Sequence, residues 1–185
     1  MLIAITGTIG VGKTTLTKTL SKLLNLPMFL EPVQENPYLE DFYRDIPKYV
    51  LKNELFLLVH RYEEQLDLKK GILDRTVLEN YVFSKTLRDM GLFPDPDYQV
   101  YLKIYKNLIS KFPVERTKFI YLQCSPQTAL SRIKERGREC EQGISLEYLE
   151  KLHRNYESFA SYYDATVIPY ENFRDVQELI QCILR

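Results

Sequence analysis

An α/β fold with a mostly parallel sheet is predicted by three observations. Short apolar runs of strand character lie at residues 2–6, 28–31, 71–74, 118–123 and 166–169. Longer stretches of helical period separate them, and strands that alternate with helices read as crossover units of a parallel sheet. The chain has 185 residues, 45% of them hydrophobic, which is room for one domain over 1–185 with a sizeable core.

The elements follow in order. The first strand pattern, Leu2-Ile3-Ala4-Ile5, leads through a glycine-rich segment into a helical stretch at 14–24, and a second strand pattern ends at Glu31 before Pro32. Pro32 cannot donate to a ladder and sends the chain away from the sheet. The clearest helix covers 47–70. Pro47 suits its first turn, Val50, Leu51, Leu55, Leu58, Val59, Tyr62 and Leu66 recur at helical spacing, and Gly71 can end it. Further helical stretches cover 77–90, 98–112, 126–135, 145–163 and 175–184. Residues 91–97, Gly-Leu-Phe-Pro-Asp-Pro-Asp, read as a loop.

Composition narrows the function classes. Lys+Arg and Asp+Glu are 25 each, so bulk charge argues against a nucleic-acid polymer as partner. Cys124, Cys140 and Cys182, with only His60 and His153 to join them, are too few and too scattered for a disulfide framework or a zinc site. No apolar run approaches the roughly 20 residues that span a bilayer, and no charged leader precedes Leu2. A cytoplasmic location and no membrane partner are expected.

Gly7-Thr8-Ile9-Gly10-Val11-Gly12-Lys13-Thr14 fits G-x-x-x-x-G-K-[ST]. It stands between a strand and a helix pattern, the context that identifies a phosphate-binding loop. Gly7, Gly10 and Gly12 let backbone N–H groups face a polyphosphate, and the following helix adds the positive end of its dipole. Lys13 is then expected at the β- and γ-phosphates and the Thr14 hydroxyl on Mg²⁺, with Thr8 and Thr15 in the same cradle. Glu31, at the carboxyl end of a strand, is expected to face the same crevice and to accept the proton of an attacking hydroxyl. Asp74, also at a strand end, is placed to hold Mg²⁺. Arg75 beside it can bridge the acceptor and the transferring phosphoryl group, and would keep Glu31 ionised if the two were close.

These residues resemble the deoxyribonucleoside kinases, the family of deoxycytidine, deoxyguanosine and deoxyadenosine kinases. The likeness covers nearly the whole chain: the phosphate loop, Glu31-Pro32-Val33, Asn36-Pro37-Tyr38-Leu39 with Phe42-Tyr43, Asp74-Arg75-Thr76, Arg136-Gly137-Arg138, and Glu141-Gln142-Gly143-Ile144 with Glu147-Tyr148-Leu149-Glu150-Lys151-Leu152-His153. The resemblance implies a three-layer P-loop kinase fold. A five-stranded parallel sheet is flanked by helices, with an arginine-rich lid at about 132–144 and usually a homodimer. It implies transfer of the γ-phosphoryl of ATP or another nucleoside triphosphate to a deoxynucleoside 5′-hydroxyl. Glu31 then matches the general base and Arg75 the arginine of the E/D-R-S/T motif. Tyr43 and Glu141 match the pair that binds the sugar 3′-hydroxyl, and Arg132, Arg136 and Arg138 match the lid arginines. Glu171-Asn172-Phe173 resembles the loop that holds the donor base.

The long helix carries a departure. Glu54 and Arg61 are two helical turns apart and share a face. Many members of the family have Gln at the Glu54 position, and often Asp at the position of Asn80, so acid and amide are exchanged here. An ionised Glu offers only acceptors, whereas guanine presents two adjacent donors, N1–H and N2–H₂. Arg61 could donate to guanine O6 or N7. Deoxyguanosine is therefore the expected substrate, with deoxyadenosine, deoxycytidine or a broad range of deoxynucleosides as the alternative. A nucleoside monophosphate kinase would need extra cations at the acceptor, for which Arg44 and Lys48 are available. A nucleotide-dependent switch would leave Glu31 and the lid arginines without a purpose.

Overall fold

The computed structural model describes residues 1–31 and 35–172, together with Ile180 and Ile183. Phe173 and most of the helix expected at 175–184 lie outside the described residues. The five expected strands are β1 (Leu2–Thr6), β2 (Met28–Phe29), β3 (Gly71–Asp74), β4 (Thr117–Gln123) and β5 (Thr166–Pro169). They form one sheet in the order β2-β3-β1-β4-β5, with every pair parallel. β1 is buried along its whole length, as a central strand covered by helices on both faces must be. β2 is shorter than expected: Leu30 and Glu31 leave the ladder, which frees Glu31 to turn inward.

Seven helices complete the described fold: α1 (Lys13–Leu24), α2 (Leu39–Arg44), α3 (Ile46–Gln65), α4 (Asn80–Asp89), α5 (Asp95–Ile109), α6 (Pro126–Arg136) and α7 (Leu146–Tyr162). Among them α2 was not expected. It is a six-residue turn-and-a-half that buries Phe42 and ends at Asp45. The Asp45 side chain then accepts from the Lys48 N–H at 3.4 Å, capping α3, and Pro47 occupies the first turn as the sequence suggested. α3 stops at Gln65, not 70. α5 begins within the expected loop because Pro96 sits in its first turn and Asp95 and Asp97 complement its dipole.

The topology sets the site. β1 lies between β3 and β4, and Ile5 pairs with Asp74 in register, so the loop after β1 and the residues after β3 emerge side by side. The crossover from β1 runs to one side, to β2, and that from β3 to the other, to β4, which makes this the switch point at which open α/β sheets bind ligands. No helix among the described residues is long and apolar enough to cross a membrane.

Candidate active site

A cleft of about 900 Å³ opens at the carboxyl ends of β1 and β3. Its phosphate-loop wall is set by backbone. Gly10 has φ +82°, and a Cβ there would lie 2.6 Å from the Ala129 carbonyl oxygen of α6, so only glycine lets the loop pack this closely. Lys13 Nζ donates to the Thr8 carbonyl at 2.7 Å. Burial and the neighbouring Arg75 lower its pKa to about 7, against the pull of Asp74 and Glu31. The Thr14 hydroxyl donates to Asp74 Oδ2, and Asp74 Oδ1 is buried with no protein partner.

On the facing wall Glu31 is clamped by two guanidiniums. Arg75 Nε reaches Oε2 at 3.1 Å, and Arg61 donates to Oε1. Burial alone would raise the Glu31 carboxyl, but Arg75 and Arg61 outweigh it and hold it at about 2. Arg75 itself is fixed from all sides. Its Nη1 donates to the Gly7 carbonyl at 2.8 Å, to Glu79 Oε2 at 3.4 Å and to the Tyr156 hydroxyl. That hydroxyl donates on to Glu79 Oε2 at 2.9 Å, and the guanidinium lies 4.6 Å from the Phe83 ring. The residue adopts φ +76°, a strained conformation held by these contacts and by its own N–H bond to Ile5 O at 3.1 Å.

α3 supplies the third wall. Its buried face reads Val50, Asn53, Glu54, Leu58, Arg61 and Gln65, polar at four of six positions. Arg61 bonds Asn80 Oδ1 at 2.7 Å, and Gln65 holds both the Arg75 carbonyl, at 3.2 Å, and the Val77 N–H, at 2.8 Å. Glu54 accepts from Asn53 Nδ2 at 3.3 Å through Oε1, while Oε2 has no partner. Burial raises its carboxyl to about 7 despite Arg61. Thus Glu54 and Arg61 share a face without pairing to one another.

The cleft also gathers Gly10, Gly12, Thr15, Tyr43, Arg132, Arg136, Arg138 and Glu141. Arg136 and, at 3.1 Å, Arg138 both bond the Glu141 carboxylate. Gly7 and Thr8, at the start of the loop, and Asn80, which is bonded to Arg61, are not among the residues that line the cleft. Arg132 spans carbonyls of Tyr170 at 3.0 Å, Glu171 at 2.9 Å and Val11 at 3.4 Å, tying α6 to the phosphate loop and to the segment after β5. The Glu171 carboxylate is turned onto the start of α6, accepting from the Ser125 N–H and from Thr128 Oγ1 at 2.6 Å. Asn172 is exposed beside it. The sequence reading passed over Glu79, Tyr156, Asn53 and Gln65. The Arg75–Glu79 spacing of four and the polar positions 54, 61 and 65 on one helix face were the available signals.

The deoxynucleoside kinase family matches residues 3–181 of this chain. The chain belongs to that family. This kinase is 42% identical to the deoxyadenosine kinase of Dictyostelium discoideum, over 98% of this chain and 77% of that protein. It is 40% identical to the deoxyguanosine kinase of Bacillus subtilis (strain 168), over 84% and 76%. The solved structure of deoxyadenosine kinase from M. mycoides with bound dATP superposes with a TM-score of 0.87, at 40% identity, over 100% of this chain and 98% of that one. The kinase is therefore a phosphotransferase that binds nucleotide and acts on a deoxynucleoside.

Proposed function

We propose that this kinase moves the γ-phosphoryl group of ATP or another nucleoside triphosphate to the 5′-hydroxyl of a deoxynucleoside whose base is read by Glu54. One observation carries the reading: Glu31, held ionised by Arg75 and Arg61, lies in the same cleft as the phosphate loop and the unpartnered Oε2 of Glu54. Glu31 orients the hydroxyl and takes its proton late. A carboxylate held near 2 competes for that proton only once bonding to phosphorus has made the oxygen acidic. Lys13, Arg136 and Arg138 meet the charge spread over the phosphates, and Arg75 bridges donor and acceptor. Arg132 locks the loop that cradles them. Tyr43 and Glu141 receive the sugar, and Glu171 and Asn172 border the donor's base.

Magnesium fits this reading. The orphaned Asp74 Oδ1 and the adjoining Thr14 hydroxyl are hard oxygen donors, and Mg²⁺ is commonly held by one or two such groups plus substrate phosphates. When bound it shields the phosphate charge.

With Glu54 ionised the base site favours deoxyguanosine. The second reading, deoxyadenosine or deoxycytidine, is supported by the raised Glu54 carboxyl and by relatives bearing those names. The kinase is also read, from family resemblance, as a cytoplasmic homodimer of single-domain subunits, which light scattering checks for the dimer. Glu31→Gln keeps the shape and removes the proton acceptor. Its kcat should fall by about 10²–10⁴ with a smaller change in KM for the deoxynucleoside; a kcat within threefold of the parent overturns the assignment.

A further inference from the structure

A chain of amide hydrogen bonds ends on Glu54, and its direction is fixed. The Tyr38 backbone N–H, which can only donate, bonds Asn36 Oδ1 at 3.0 Å. The amide nitrogen of Asn36 must then face outward, and it donates to Asn53 Oδ1 at 2.8 Å. Asn53 in turn has only its Nδ2 left for Glu54 Oε1, at 3.3 Å. Asn36, Asn53 and Glu54 are all buried, and the partners they find in the protein set the order. Flipping either amide would set donor against donor or acceptor against acceptor.

Oε1 of Glu54 is thereby committed as an acceptor. Oε2 is buried, lacks a partner and belongs to a residue lining the cleft, so it is the seat left for a proton. We infer that the Asn36–Asn53 relay makes Glu54 a two-state base reader: acceptor–acceptor when ionised, which suits guanine, and acceptor–donor when protonated at Oε2, which suits adenine and cytosine. The inference rests on the reading that Glu54 faces the base. An adenine or cytosine edge offers an amino donor beside a ring-nitrogen acceptor, the complement of a protonated carboxyl; a guanine edge offers two donors, the complement of a carboxylate.

The groups acting on Glu54 come from several elements. Arg61 on α3 pulls towards the ionised form, Glu31 after β2 pushes against it, and burial opposes it most strongly, so that the carboxyl titrates at about 7. Tyr101 on α5 and Tyr148 on α7 lie near enough to sense its charge, and both phenols remain protonated. The two protonation states are then comparably populated near neutrality.

The test is internal competition between deoxyguanosine and deoxyadenosine in one tube, from pH 6 to pH 8, with both monophosphate products quantified. Titrations of Lys13 and Glu31 act on both reactions and cancel in the ratio of kcat/KM. If each base takes one state only, the guanine-to-adenine ratio rises by about tenfold per pH unit. In Glu54→Gln the relay orients the amide with its nitrogen towards the cleft, so the ratio should favour adenine and be flat with pH. Asn53→Leu added to that variant lets the amide turn over and should bring its ratio back towards unity, whereas a loss of stability alone would slow both products equally. A parent ratio constant within twofold across the range overturns the two-state reader. If Glu54→Gln reproduces the parent ratio at every pH, it is the placement of the base against Glu54 that fails.

Discussion

Arg75 and Glu54 are both buried charged residues, and their surroundings are opposite. Arg75 spends its donors on Glu31, the Gly7 carbonyl, Glu79 and Tyr156, and an aromatic ring covers its face. Around Glu54 bonds are left unmade: its own Oε2, Arg61 Nε and Asn80 Nδ2 are buried without partners. Buried polar groups in proteins are nearly always satisfied, because each unmade bond costs about 1–3 kcal/mol. The saturated cluster is therefore scaffold, which fixes the Glu31 carboxylate and the strained turn after β3. The unsaturated one has bonding capacity left over, and it is there that we propose the deoxynucleoside binds.

Three measurements can break or sharpen this contrast. The largest effect is expected for Arg75→Met, which strands the fully buried Glu79 and half the clamp on Glu31. Breaking a buried pair costs about 3–5 kcal/mol, read as a lower midpoint in urea denaturation. A loss below about 1 kcal/mol would mean that the cluster is not the scaffold described.

Glu54→Gln should move stability the other way. The folded carboxyl, at about 7, lies above its ordinary 4.5, so between these values the native state holds a proton that the unfolded chain has released. Stability contributed by this group is whole below about 4.5 and is lost as pH rises to about 7. The amide removes that loss, so the variant should gain on the order of 2–3 kcal/mol over the parent at pH 8 and almost nothing at pH 4. An unchanged difference at the two pH values would show that Glu54 is not strained by its burial. Glu31 has the contrary sign, since its carboxyl is depressed to about 2: its contribution is present above about 4.5 and fades as pH falls towards 2.

The smallest effect belongs to the exposed pair Lys85–Asp89 on α4, whose side chains are 38% and 41% accessible. Lys85→Ala should cost about 0.3–0.5 kcal/mol, and less at high salt. A larger, salt-independent loss would blur the distinction between buried and solvated charge.

Much of the fold was legible in the sequence because it rests on local periodicity. Each of the five strands was placed from a run of apolar residues, and the phosphate loop from glycines whose spacing has few other uses. The short helix α2 was not, since six residues with one buried side chain leave no period to read. Start and stop of α3 and α5 moved by a few residues where Pro47 and Pro96 entered first turns and where α3 ended at Gln65. In the site, Glu31, Asp74 and Arg75 could be anticipated from their places at strand ends. Their partners could not: Tyr156 reaches Arg75 from 81 positions away, and Asn36 reaches Asn53 across 17.

The sequence by itself determined the class of chemistry. A glycine-rich phosphate loop, a carboxylate and an arginine at strand ends and the arginines of 132–138 are each carried by residue types at short, fixed separations. Tertiary structure alone decided the charge state in which those residues work. It sets two guanidiniums against Glu31 and holds its carboxyl down at about 2, and it buries Glu54 at the end of an amide chain and lifts its carboxyl to about 7. The physical reason is that a proton's free energy depends on desolvation and on charges a few ångströms away, and which groups come that close is settled only when the chain has folded.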